Sequence, residues 1–103
     1  MSKLYITEFS SVGWTNAAGP APFPQVPHTT TQVVTFTATA GTSSPLAAST
    51  KMVRLHADGI CSFAFVTGAT VATTNDSRLN ISQTEYYMVG ATTGLKVSAV
   101  TNT

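Results

Sequence analysis

His56, Asp58 and Cys61 bring an imidazole, a carboxylate and a thiol into one short stretch, KMVRLHADGICSFAFV, from Lys51 to Val66. A cysteine nucleophile needs its thiol against the imidazole and a third group holding the imidazole in place. Here the Asp-Gly pair already serves a tight turn, His56 falls on an ordinary strand position, and Cys61 lies in an apolar run where a buried, inert thiol is expected. His28 stands apart, and the carboxylates at 8, 58, 76 and 85 make no metal-ligand spacing with either histidine. Gly59, Gly68, Gly90 and Gly94 fit turns better than a phosphate cradle. The expectation is no catalytic, cofactor-binding or metal-binding residue, and no enzyme.

Recognition is the remaining chemistry. On a strand, Glu85 and Tyr87 share one face and Tyr86 shows the other. Aromatic and arginine side chains dominate interface hot spots, so Tyr86, Arg54 and Arg78 are contact candidates. A plainer reading has Glu85 paired with one of the arginines. Trp14, Phe23 and Val26 join the candidates because they sit in a proline-rich stretch and are residue types that disordered segments lack.

The elements that would position these residues are strands. The two apolar runs flanking Asp58-Gly59 read as a central β-hairpin with a type I′ turn. Val53, Leu55 and Ala57 alternate with Met52, Arg54 and His56, while Ile60 to Val66 is apolar on both faces apart from Ser62, which suits a strand covered on both sides. Before the hairpin, Lys3 to Phe9 alternates as a short first strand, with Leu4, Ile6 and Glu8 sharing one face. Gln32 to Ala40 places Val34, Phe36 and Ala38 on one face of a half-buried strand. After it, Arg78 to Ser82 puts Leu79 and Ile81 on one face, and Gln83 to Val89 and Leu95 to Val100 form two strands that Gly90 and Gly94 could join as a hairpin.

Between these strands lie turn-rich connections at 41 to 50 and 67 to 77. From Ser10 to Thr31 the alternation vanishes, and four of the five prolines, at 20, 22, 24 and 27, remove the donors a ladder needs. That stretch reads as an extended arm or long loop, either ordered by a partner or folded back with Trp14 buried on its own sheet. The expected fold is therefore all-β: an antiparallel β-sandwich or jelly roll of six to eight short strands, without helix, in one domain over 1–103. Residues 10–31 form the arm and 32–103 the main body.

Composition narrows the partners. Charged residues are 9% of the chain against a usual share of about 25%, with serine and threonine in their place. Such a surface suits one covered in an assembly; threonine acting simply as a strand former is the other reading. Net charge is +1 with no run of Lys or Arg, so the basic footprint of a nucleic-acid binder is missing. The single cysteine excludes an internal disulfide. No stretch approaches the roughly 20 apolar residues of a membrane helix, and the opening MSKLYITEF has no signal-peptide core, so a soluble, non-secreted chain is expected. Open strand edges with so few charges to guard them favour a closed oligomer.

The segments VRLHADGICSFAF, RLNISQTEYYMV and GLKVSAV, with the opening SKLYITEF, resemble small proteins encoded beside the capsid genes of tailed bacteriophages, the head decoration or cement proteins. The likeness covers roughly half the chain plus the first strand. It implies a small jelly-roll or β-sandwich subunit that clamps neighbouring capsomers, with the major capsid protein and its own copies, as dimer or trimer, for partners. It also implies residence on the capsid surface of the virion after synthesis in the bacterial cytoplasm, and it carries no catalytic residue. The rival expectation is a phage fibre or baseplate-type module that binds a receptor or glycan.

Overall fold

A computed structural model describes residues 2–15, 19–24, 26–90 and 93–102, and for 12–15 and 19–24 the backbone alone. The described residues are all-β, with no helix. The strands are β1 (Ser2–Phe9), β2 (Val12–Thr15), β3 (Gly19–Pro24), β4 (Thr30–Phe36), β5 (Gly41–Thr42), β6 (Met52–Ala57), β7 (Cys61–Val66), β8 (Ser77–Leu79), β9 (Thr84–Met88) and β10 (Lys96–Thr101). They build two four-stranded antiparallel sheets, ordered β4-β1-β6-β9 and β5-β10-β7-β8. Among the described residues, β2 and β3 pair only with each other.

Alternation decides which side chains go inward. Leu4 and Ile6 on β1, Val34 and Phe36 on β4, and Val53, Leu55 and Ala57 on β6 join Cys61, Phe63, Leu79, Val97 and Ala99 of the second sheet in one buried cluster. Phe63, Phe65 and Tyr87 close its rim with ring centroids 5.5 to 6.3 Å apart in tilted or edge-on contacts. Each fully buried Leu, Ile, Val or Phe contributes about 1.5–3 kcal/mol, so this shared apolar face is what holds the body together.

β7 is covered on both faces, as its composition implied. Its outer cover is the connection 67–76, which lies across the second sheet. The Ser98 hydroxyl accepts the Ala72 amide at 2.9 Å and donates to the Gly41 carbonyl at 3.0 Å. Asn102 Nδ2 donates to the Ser62 hydroxyl at 2.8 Å and also reaches the Thr74 carbonyl at 3.4 Å. Ser62 and Ser98 are consequently buried, and their hydroxyls are satisfied.

Several local expectations are overturned. The stretch around Asp58-Gly59 is not a hairpin: β6 pairs with β1 and β9, β7 with β10 and β8, and the turn carries the chain from one sheet to the other. Asp58 remains bonded to β1, its amide donating to the Lys3 carbonyl at 3.0 Å and its carboxylate accepting the Lys3 amide at 2.6 Å. Positive φ angles occur at Gly68, Ser82 and Gly94, not at this pair, so no type I′ turn forms. Gly59 is needed for space, because a Cβ there would collide with the Ser2 side chain. The apolar faces of β6 and β7 therefore meet across the core rather than side by side.

The same holds for β9 and β10, which belong to different sheets, so the Gly90–Gly94 connection also crosses between layers. β4 ends at Phe36, and Ala38 is exposed. Leu79 is buried, but Ile81 is 62% exposed because the chain turns at Ile81-Ser82, with Ser82 at φ 62°. The stretch 10–31, expected as an arm or loop, contains the β2–β3 ribbon. Its strands pair Val12 with Pro24 and Thr15 with Gly19 around an irregular register, which is where proline is tolerated.

Candidate functional site

The outer face of the first sheet carries the residues best placed for recognition. On β1, β6 and β9 the register aligns Tyr5, His56 and Thr84 in one row, Thr7, Arg54 and Tyr86 in the next, and Phe9, Met52 and Met88 in a third. Val33 extends the first row from β4. Tyr86 and Val33 are each 50% exposed and Met88 is 58% exposed, while Arg54 lies partly buried beside Tyr86. His56 Nδ1 sits 2.7 Å from the Thr84 hydroxyl, and its ring centroid lies 6.5 Å from that of Tyr5. Phe9 and Met52 on the same face are buried, and the Phe9 ring meets the His28 ring edge-on at 6.4 Å.

The four carboxylates are all engaged elsewhere. Glu8 is fully buried on the inner face of β1, Asp58 is bonded to Lys3, and Asp76 accepts the Thr73 amide at 2.8 Å in the loop over the second sheet. Glu85 points to the inner side of β9 and accepts a hydrogen bond from Gln83 at 3.3 Å. The pairing of Glu85 with an arginine is thereby overturned: Arg54 is on the opposite face of the sheet, and Arg78 donates to Asn80 Oδ1 at 2.9 Å on the other sheet. Arg54 on the outer face of β6 has no carboxylate facing it from β1 or β9.

Of the residues singled out by type, the fold pairs Arg54 and Tyr86 opposite each other across β6 and β9. It leaves Arg78 on the second sheet and Val26 78% exposed in the segment before β4. Trp14 and Phe23 have their backbones on β2 and β3, but their side chains lie outside the described residues, as does the question of whether Trp14 folds back on its sheet. Tyr5, Val33 and Met88 are members of the face that type alone did not pick out. Their alternation with Leu4, Val34 and Tyr87 was the signal that could have found them.

His56, Asp58 and Cys61 are dispersed: the imidazole on the outer face of the first sheet, the carboxylate on Lys3, the thiol in the core. Burial pushes the Cys61 thiol up to about 11, the direction of an unreactive cysteine. Burial, with a smaller contribution from the neighbouring Glu85 charge, likewise raises Tyr87. Among the described residues, no three of His, Cys, Asp and Glu converge as metal ligands. A cleft of about 190 Å³ opens between Leu46, Ala47 and Thr50 on one side and Val89, Thr93 and Leu95 on the other, without a charged side chain in its wall.

Comparison with known proteins finds no matching family model, no matching curated protein and no matching solved structure.

Proposed function

We propose that the chain is a structural binding subunit of the decoration type: a β-sandwich that docks on the outside of a tailed-phage head and strengthens contacts between subunits of the major capsid protein. The observation that carries this reading is the outer face of the first sheet, where Tyr86, Met88 and Val33 stand exposed around Arg54 on a rigid ladder. Exposed aromatic and arginine side chains on a preordered surface are what a protein contact uses. Low charge lets such a surface be covered without a large desolvation cost. The resemblance of the VRLHADGICSFAF, RLNISQTEYYMV and GLKVSAV segments supplies the capsid as partner. Symmetry then multiplies individually weak contacts, with further copies of the chain, as dimers or trimers, adding to the array.

Co-sedimentation of the purified protein with mature particles stripped of their decoration tests this directly. Saturable binding in whole multiples of the capsomer number is expected, with loss of binding in an Arg54→Glu, Tyr86→Ala double variant. A folded protein that ignores particles but binds host cells or glycans would replace this reading with a receptor-binding module of fibre or baseplate type.

A further inference from the structure

The backbone of β9 is half used. Its ladder to β6 includes the Val89 amide donating to the Lys51 carbonyl at 2.9 Å and the Ala57 amide donating to the Gln83 carbonyl at 3.2 Å. In an antiparallel ladder, residues alternate between those that bond to the neighbour and those that point away. Residues 83, 85, 87 and 89 therefore face β6, and the N–H and C=O groups of Thr84, Tyr86 and Met88 face outward. Among the described residues no strand pairs on that side, because β9 ends the sheet.

Natural sheets guard such an edge with lysine, proline, a bulge, an inward-pointing charge or a covering loop. TEYYM has no lysine and no proline, and its one charge, Glu85, is on the inner side and bonded to Gln83. Its register with β6 runs unbroken from Met52–Met88 to His56–Thr84, so the outer row of Thr84, Tyr86 and Met88 carries no guard. The three residues with open backbone groups are also those whose side chains lie on the outer face, Tyr86 and Met88 being half exposed or more. Edge and face are thus one continuous surface.

We infer that β9 accepts an extended acidic peptide segment as a fifth strand, with a carboxylate of that segment opposite Tyr86 and directed to Arg54. Charge selects the occupant. Arg54 is one strand inside the edge, so a same-face residue opposite Tyr86 lies two strand spacings away, about 10 Å, which a guanidinium and a carboxylate side chain span between them. The protein's own carboxylates at 8, 58, 76 and 85 are all engaged away from this face. A second copy of β9 fits less well: centred antiparallel pairing sets Tyr86 against Tyr86 and Met88 against Thr84, and offers Arg54 no counter-charge. Backbone pairing supplies the affinity in this mode of recognition and alternate side chains supply the choice of partner.

The inference deepens the decoration reading by naming the chemistry of the partner segment, and it is tested without particles, so the two can fail separately. The full chain, isotopically labelled, is titrated with an eight-residue peptide of alternating valine and glutamate, and with the same peptide carrying lysine for glutamate. Saturable shifts confined to residues 84–88 and their β6 neighbours are expected with the glutamate peptide alone. Arg54→Glu should weaken that peptide about tenfold, from one lost attraction and one new repulsion, and should gain binding of the lysine peptide. Tyr86→Pro should abolish both, since its N–H is an edge donor that the folded chain does not use. Equal binding of both peptides to the wild type would overturn the inference. So would shifts centred on another surface, or a dimer of the protein alone that Tyr86→Pro dissolves.

Discussion

The buried carboxylate of Glu8 accepts the Thr50 hydroxyl at 2.7 Å. The same oxygen takes the Ala47 amide at 2.8 Å, and the other takes the Gln32 side-chain amide at 3.1 Å. Gln32 in turn accepts the Ser44 amide at 2.9 Å, so one acid on β1 fastens both ends of the connection between β5 and β6. Removing it strands the buried Thr50 hydroxyl and the partly buried donors of Ala47 and Gln32, which costs more than the bonds themselves contribute. Glu8→Ala should lower unfolding free energy by about 3 kcal/mol. Glu8→Gln, which keeps an acceptor for Thr50 and Ala47 but turns donors toward Gln32, should lose about 1 kcal/mol. Urea denaturation of both variants provides the check, and equal losses would show that acceptor geometry is not what matters at this position.

Two glycines are held by close approach. A Cβ at Gly41 would strike the Thr35 carbonyl oxygen and come within 3.0 Å of the Val34 side chain, and one at Gly59 would strike Ser2. Backbone yields less readily than a surface serine. Gly41→Ala should therefore cost about 2–3 kcal/mol and Gly59→Ala about 1–2 kcal/mol. Thermal melts of the pair should preserve that order, and adding Ser2→Gly should rescue Gly59→Ala alone.

Ser98 ties the connection 67–76 to the second sheet. Ser98→Ala leaves the Ala72 amide without its acceptor and should cost about 1–3 kcal/mol. Hydrogen exchange at Ala72 should rise well beyond the change in global stability. Exchange that rises only in step with global unfolding would mean the connection is held by other contacts.

The Cys61 thiol gives stability a defined alkaline dependence. Its ordinary value is 9.0 and burial raises it to about 11 in the folded chain. The unfolded chain thus ionises first, so the contribution is complete below pH 9 and is lost as pH rises from 9 to 11. The full loss is about 2–3 kcal/mol. Unfolding free energy should fall more steeply across that window in the wild type than in Cys61→Ala, and parallel curves would refute the assignment. Tyr87, raised in the same direction, adds to the decline in both proteins.

Alternation in the sequence was enough to read strand after strand and to choose their inner faces. Leu4 and Ile6, Val34 and Phe36, and Val53, Leu55 and Ala57 all point where a period of two places them. The cover on both faces of β7 was legible from its apolar run, and the inert Cys61 from its neighbours. Partnership between strands was not legible. Asp58-Gly59 has the chemistry of a tight hairpin, yet local turn preference amounts to about a kilocalorie, while the choice between pairing β6 with β7 and stacking them across the core is decided by the whole apolar face. Glu8 appeared in the sequence as one of several scattered acids, because its partners Gln32, Ala47 and Thr50 lie 24 to 42 positions away. Arg54 and Tyr86 were picked out by residue type, but only sheet order made them neighbours and put Arg78 on the other layer. Side-chain direction within a strand is a property of a residue and its immediate neighbours, so the sequence determined it wherever the strand continued and missed it at Ala38 and Ile81, where the strand had ended; adjacency of strands is a property of the closed core, so it was decided only when the two sheets met.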